Sequence, residues 1–385
     1  MKKILALILA VAFLMLFWIG LPQKSSAKEY SLDLQAKAAV LMDAETGEVL
    51  FEQNADEALP PASVTKIMTL LVVMEAISGG QITLSETVMV SEEAASMGGS
   101  QVFLEAGECL TVEELIKCVI IASANDAAFA LAEHVSGSEG AFVAQMNARA
   151  KELGMNNTRF ENTNGLDDTV TAHLTSARDI AIMSRELLRH PKILEYTTIW
   201  QDSIRNGSFT LTNTNRLVRF YPGATGLKTG STSKALYCIS ATAKRGDTHL
   251  IAVVLGSRTR DIRNAEAKKL LDYGFSTYSC YKTEAQQLAP IPLTGGKADT
   301  LGICVQPIAV TLQKGQEGRV NVAYKLPTAV SAPIRAGETV GTAEYTVDGN
   351  LIATADILAT EDAEGIRFVD LLWRLFCRTI GVFSN

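Results

Sequence analysis

Pro60 and Pro61 stand just ahead of an apolar run, Ile67 to Ile77, and between them lies Ala62-Ser63-Val64-Thr65-Lys66. Proline cannot continue a helix from upstream but suits its entry, so the run is expected as a helix with Ser63 in or beside its first turn. Serine and lysine three apart share a helix face, which puts Lys66 within reach of the Ser63 hydroxyl. A hydroxyl needs a base before it can attack a carbonyl, and a lysine serves if burial or a second cation lowers its pKa. The helix N-terminus adds a partial positive charge where alkoxide would form.

The S-x-x-K spacing alone decides little, because the chain holds it four times, at Ser25/Lys28, Ser63/Lys66, Ser231/Lys234 and Ser279/Lys282. Only the Ser63 copy heads an apolar helix. A plain capped helix with a solvated lysine remains the alternative at this point.

With 385 residues, 47% hydrophobic and 20% charged, the chain can bury a sizeable core and is long enough for two domains. A net charge of -7, with no basic run and interleaved aromatics outside the termini, argues against nucleic acid as a partner. Cys109, Cys118, Cys238, Cys280, Cys304 and Cys377 are scattered, with no C-x-x-C and no metal-ligand spacing to the four histidines. They read mostly as packed thiols, and neither a metal nor a cofactor is expected. Lys2 and Lys3, the apolar run Ile4 to Leu21 and Ser25-Ser26-Ala27 form an export signal, with cleavage expected after Ala27. The 18-residue run is also long enough for an uncleaved anchor.

Along the mature chain, Ala38 to Asp43 and Glu48 to Glu52 read as a hairpin, and Val88 to Val90 as a short strand. Thr111 is expected to cap a helix over Val112 to Ala122. That helix stops at Ser123-Ala124-Asn125-Asp126, and another, Ala127 to Val135, follows. Ser123 and Asn125 can aim a hydroxyl and an amide at one space, for proton relay and hydrogen bonding. The plain alternative is that Ser123 or Asn125 caps the second helix. Helices ending at Gly154 and running from Ser176 to His190 flank an asparagine-rich loop, Asn156 to Asp168, of the kind that walls a site. Lys228-Thr229-Gly230 then offers a cation, a hydroxyl and a backbone without Cβ, at the start of a hairpin made of Ala235 to Ala243 and His249 to Gly256. The plain alternative is a basic turn. A helix from Ile262 to Tyr273, stopped by Gly274, closes this half.

From about Cys280 the runs Ile303 to Leu312, Arg319 to Leu326, Thr339 to Val347 and Leu351 to Ile357 alternate and are punctuated by glycine and proline, as in a small all-β domain. In the last stretch Phe368, Leu371, Leu372, Leu375, Phe376 and Ile380 line one helical face, and Arg367, Asp370, Arg374 and Arg378 the other. An amphipathic helix of that kind suits an anionic membrane surface, or docks on its own protein.

Ser63-x-x-Lys66, Ser123-x-Asn125 and Lys228-Thr229-Gly230, in that order, resemble the penicillin-recognising serine enzymes. The whole layout resembles the low-molecular-mass penicillin-binding proteins that act as D-alanyl-D-alanine carboxypeptidases. The resemblance implies an α/β (α+β) catalytic domain over residues 28–278, with an antiparallel sheet flanked by helices and a helical subdomain. A signal at 1–27, a small all-β domain at 279–360 and an amphipathic membrane-anchor helix at 361–385 complete it, on the outer face of the cytoplasmic membrane. It implies Ser63 as nucleophile, Lys66 as base, Ser123 as proton relay and Asn125 as the group that positions the substrate amide. Lys228 and Thr229 would hold the terminal carboxylate, Arg263 would assist, and Ser63 and Ser231, the residue after Gly230, would supply the oxyanion N–H groups. The implied partners are peptidoglycan pentapeptide ending in D-Ala-D-Ala and, as covalent inhibitors, β-lactams. Ser-Ala-Asn stands where these enzymes usually carry Ser-Gly-Asn. The segment Asn164 to His173 resembles the loop beside their site. A class A-like β-lactamase needs a Glu-x-x-Leu-Asn glutamate that Glu161-Asn162-Thr163-Asn164 does not match, and a non-catalytic cell-wall peptide-binding protein would not need Ser63 and Lys66 together.

Overall fold

The structure is a computed structural model that describes residues 32–168, 170–369, 372, 373 and 376. The expected export signal lies outside the described residues.

Ala38–Asp43 (β1) is buried along its whole length and pairs antiparallel with Val49–Gln53 (β2). The Asp43 carboxylate makes their turn by accepting the N–H groups of Glu45 and Thr46. A single tight turn, Ala62–Thr65, leads into Lys66–Ser78 (α1), of which only Glu75, Ile77 and Ser78 escape full burial. Thr87–Met89 (β3) and Cys109–Thr111 (β4) form a small ribbon that delivers Val112–Lys117 (α2). Thr111 caps α2 in a full capping box: its hydroxyl accepts from Glu114 N, and the Glu114 carboxylate accepts from Thr111 N. The helix expected to run on to Ala122 changes character at Cys118, where five residues widen into a π-turn that ends on left-handed Ser123. Asn125–Ser136 (α3) and Glu139–Glu152 (α4) complete the helical subdomain around α1. Ser176 caps Ala177–Leu188 (α5) by accepting from Asp179 N.

After the ribbon Gln201–Ile204 (β5) and Phe209–Thr212 (β6) come Ala224–Thr232 (β7), Leu236–Arg245 (β8) and Thr248–Ser257 (β9). The main sheet has the order β2-β1-β9-β8-β7, antiparallel throughout. All ten residues of β9 are buried, because α5 and Arg260–Thr277 (α6) both pack on it. Two expectations need correction here. Lys228 does not begin the first strand of a two-stranded hairpin; it sits mid-way along β7, opposite Ser240. A turn at Ser233-Lys234, held by the Thr232 hydroxyl accepting from Ala235 N, separates β7 from β8. Gly274 does not stop its helix, which continues to Thr277. A Cβ there would lie 2.5 Å from a Leu250 methyl, so this glycine allows α6 to lie close on the sheet.

The second domain is all-β. Tyr278–Lys282 (β10) pairs with Ala309–Gln313 (β13). The strands Gln286–Thr294 (β11), Thr300–Val305 (β12), Val320–Lys325 (β14), Val330–Ser331 (β15), Thr339–Val347 (β16) and Asn350–Ala359 (β17) make one sheet in the order β14-β16-β17-β12-β11-β15. The expected single run Ile303 to Leu312 is therefore two strands in two sheets, broken at Pro307, which has no N–H for a ladder. Leu301, Ile303, Ala343 and Ile357 centre its core. Pairing continues past Thr360, with Ala363 bridging to Ile334 and Ile366 N donating to Gly295 O. Beyond it, the described apolar residues Phe368, Val369, Leu372, Trp373 and Phe376 are exposed. Leu371, Leu375, Ile380, Asp370, Arg374 and Arg378, on which the rest of the amphipathic reading depends, lie outside the described residues. Among the described residues no helix is long and apolar enough to cross a membrane.

Candidate active site

Ser63 occupies the tight turn ahead of α1, and Lys66 is the first residue of the helix itself, wholly buried. Lys66 Nζ lies 3.0 Å from Ser63 Oγ, 2.5 Å from Asn125 Oδ1 and 2.9 Å from the Asn164 carbonyl. None of these partners is a carboxylate. Burial holds the Lys66 pKa well below the ordinary lysine value, and the charge of Lys228 lowers it further, against a smaller opposing pull from Asp126.

Asn125 Nδ2 donates to Gly98 O at 2.7 Å, which fixes the amide so that its oxygen faces Lys66. Asn125 Oδ1 and Asn164 O can only accept, so each takes an N–H group of Lys66 Nζ. The third position of Nζ faces Ser63 Oγ, to which the charged amine donates and from which the neutral amine can accept. A hydroxyl within reach of an amine of lowered pKa is a pair able to act as nucleophile and base.

Asn125 is held from three directions. Its own N–H donates to Ser100 O at 2.7 Å. The adjacent Asp126, 1% exposed, accepts the N–H groups of Val102, Leu104 and Ala127, and so pins the 98–104 segment over it. Gly99, at φ +79°, leaves room for the amide, since a Cβ there would lie 2.7 Å from Asn125 Nδ2. Neither Ser123 nor Asn125 caps α3, whose N-cap is Ala124 without any side-chain bond. Ser123 instead sits at φ +62°, a backbone state that costs a non-glycine residue about 1 kcal/mol. Its hydroxyl accepts from Lys228 Nζ at 2.8 Å.

Lys228 also donates to the carbonyl of Thr229 at 2.8 Å, and is buried rather than set in a basic turn. Burial, then the nearby charge of Arg263, lowers its pKa to about 7. Thr229 Oγ1 donates to Thr214 Oγ1 at 2.8 Å. Gly230 is where β7 crosses the Ser63 turn: a Cβ there would lie 2.8 Å from Ser63 N. Arg263, on α6, donates to Asn264 Oδ1 at 2.9 Å and, at 3.4 Å, to Cys238 O; burial brings its pKa down to about 10.

The asparagine-rich loop closes one side. Gly165, at φ +86°, passes so near Ala62 that a Cβ would overlap its carbonyl. Thr232 donates to the Asp167 carboxylate and Lys234 to the Asp167 carbonyl, tying the loop to the end of β7. His173 beneath it accepts at Nδ1 from Glu161 N, so its proton is on Nε2, facing Thr65 Oγ1. Burial lowers its pKa to about 4, and it is a neutral strut.

All nine residues singled out by sequence gather here. Ser63, Ser123, Thr229, Gly230, Ser231 and Arg263 line a cleft of about 670 Å³, while Lys66, Asn125 and Lys228 are not part of its lining. Sequence reasoning missed Asn164 as a backbone acceptor for Lys66, Asp126 as the anchor of the overlying segment, and Thr214. An aspartate directly after Ser-x-Asn in an apolar helix start was the available signal for Asp126. It also missed the cleft-lining Trp200, Arg216 and Phe220, which carry no motif.

Residues 23–259 match the family model described as D-alanyl-D-alanine carboxypeptidase, and residues 275–365 match the C-terminal domain of penicillin-binding protein 5. The chain is 43% identical to D-alanyl-D-alanine carboxypeptidase DacF of Bacillus subtilis (strain 168), over 97% of this chain and 98% of that one. Among solved structures it is similar to penicillin-binding protein 5 from Haemophilus influenzae, at 32% identity and a TM-score of 0.75, covering 86% of this chain and 98% of that one. It is also similar to penicillin-binding protein D2 from Listeria monocytogenes in an ampicillin-bound form, at 34% identity and a TM-score of 0.58, covering 63% of this chain and 99% of that one.

Proposed function

The chain belongs to the D-alanyl-D-alanine carboxypeptidase family of serine hydrolases, and from that membership we propose a residue-by-residue course for the reaction on a peptide ending in D-Ala-D-Ala. Lys66, neutral, takes the Ser63 proton, and Ser63 Oγ attacks the carbonyl carbon of the penultimate D-alanine. The oxyanion forms between the N–H groups of Ser63 and Ser231. As the C–N bond breaks, Ser123 relays to the departing nitrogen the proton that Lys66 took from Ser63, which returns Lys66 to the neutral amine. Asn125 orients the acyl-side amide, and Lys228, Thr229 and Arg263 hold the terminal carboxylate. Free D-alanine leaves, and water then attacks the Ser63 ester, with Lys66 accepting its proton and returning it to Ser63 Oγ as the C–O bond breaks.

The buried Lys66, its pKa lowered and its Nζ 3.0 Å from Ser63 Oγ, carries this reading. It also counts against a non-catalytic peptide binder, which has no use for a desolvated base. Against a class A-like β-lactamase, the Glu161 carboxylate is engaged by the N–H groups of Thr171 and Ala172 and is not a partner of Lys66. The substrate is the pentapeptide stem of peptidoglycan, and β-lactams acylate Ser63 because they offer a strained amide and a carboxylate in the same positions.

The signal is cleaved after Ala27, the all-β domain acts as a spacer, and the amphipathic end lies on the outer face of the cytoplasmic membrane. The exposed apolar side chains Phe368, Leu372, Trp373 and Phe376 support that anchor. Intact mass spectrometry with penicillin, peptide mapping, and D-alanine release from a pentapeptide test the chemistry. Undiminished labelling of Ser63→Ala would falsify the nucleophile assignment.

A further inference from the structure

The reaction above leaves one wall of the cleft unused. It is built from Trp200, Thr212, Arg216 and Phe220, beside the ribbon β5–β6 and the short helix Leu217–Phe220. Two contacts place it. Thr214 N donates at 3.1 Å to Ile121 O, on the π-turn that ends at Ser123, and Thr214 Oγ1 accepts from Thr229 Oγ1. The wall therefore adjoins both the hydroxyl that protonates the departing nitrogen and the one that holds the departing carboxylate. That is the side on which the leaving residue sits.

A leaving D-alanine has only a methyl side chain, and its carboxylate is already matched by Lys228, Thr229 and Arg263. The wall offers much more. Trp200 and Phe220 meet edge to face at 6.0 Å, with the Arg219 guanidinium 5.5 Å from the first ring and 5.6 Å from the second. Arg216 lines the cleft in the open, without an ion-pair or hydrogen-bond partner for its guanidinium among the described residues. Arg149, Arg178 and Arg205, by contrast, are each matched to glutamate or aspartate. No Asp or Glu lines this cleft, and Arg260 adds a further positive charge to it.

We infer that this wall is a subsite for the side chain of the leaving residue, and that it accepts a D-amino acid whose extended side chain ends in a carboxylate. The apolar stem lies along Trp200 and Phe220, and the carboxylate meets Arg216. The inference rests on the proposed Ser63 reaction and adds no new step to it. The same C–N bond breaks, the same proton reaches the departing nitrogen, and a larger D-residue leaves.

The test uses diacetyl-L-Lys-D-Ala-D-X peptides with X as D-Ala, D-Gln, D-Glu or D-2-aminoadipate, on the whole chain. The expected result is a kcat/KM for D-Glu and D-2-aminoadipate about tenfold above that for D-Gln. In Arg216→Gln that ratio should fall to near one, with the penicillin acylation rate reporting an intact fold. A ratio near one in the unaltered protein, or one that Arg216→Gln leaves unchanged, overturns the inference. So does a charge preference that appears only when the carboxylate is moved to the acyl-side residue. Failure to release D-alanine from D-Ala-D-Ala would instead count against the proposed function.

Discussion

Replacing Gly230 with alanine adds one methyl group at the point where β7 crosses the Ser63 turn. That methyl would lie 2.8 Å from Ser63 N and 2.9 Å from both Pro61 O and Val64 N. Ordinary contact for such pairs starts at about 3.5 Å, so the strand and the turn must separate by roughly half an ångström or more. All three obstructing atoms are backbone, and no side chain can rotate away to absorb the change. The stability cost should be of the order of an overpacked core, about 1–3 kcal/mol. A kinetic cost should accompany it, because the displaced atom is one of the two proposed oxyanion donors. Misplacement on this scale costs about 10²-fold in rate. Stopped-flow acylation by a fluorescent penicillin gives the rate, and calorimetry gives the stability. An acylation rate within threefold of the unaltered protein, at a melting temperature that shows the variant folded, would refute the argument.

Lys66→Ala is expected to lower acylation by about 10³-fold or more while retaining a cooperative unfolding transition, checked by penicillin labelling and calorimetry. The pH profile of kcat/KM should rise as the depressed Lys66 loses its proton, since the neutral amine is the active form. It should fall again as Lys228 loses its charge near its lowered pKa of about 7. A profile flat from pH 6 to 10 would contradict the Lys228 assignment. Truncation after Arg367 keeps the pairings of Ala363 and Ile366 and removes the exposed apolar end. The product should react with penicillin yet no longer sediment with anionic liposomes, and sedimentation equal to that of the whole chain would rule out the anchor.

Ser63 and Lys66 were legible because three residues along one helix bring them together, and Pro60-Pro61 marks where that helix starts. Ser123 and Asn125 were legible as a loop between two apolar runs. What makes Lys66 a base was not, since its acceptors Asn125 and Asn164 lie 59 and 98 residues away in sequence. Glycine was legible at one position and misleading at another. Gly274 looks like a helix stop until Leu250 is seen facing it, whereas at Gly230 the absent Cβ was read correctly and only its neighbour, the Ser63 turn, was hidden. The strand run Ile303 to Leu312 misled for a related reason. Its alternation continues across Pro307, while the hydrogen bonds change sheets there.

The lysine at the head of α1 also bears on how this protein ages under mutation. A fully buried amine with no carboxylate partner is a constant load on the folded state, because the unfolded chain would carry that proton in water. Exchange for a methionine of similar volume relieves the load in one step, so drift alone favours a sturdier, inert descendant. Resistance to heat and chemical competence are opposed at this position. A screen of variants for thermal tolerance alone would therefore be expected to enrich proteins that keep the fold and no longer react with penicillin.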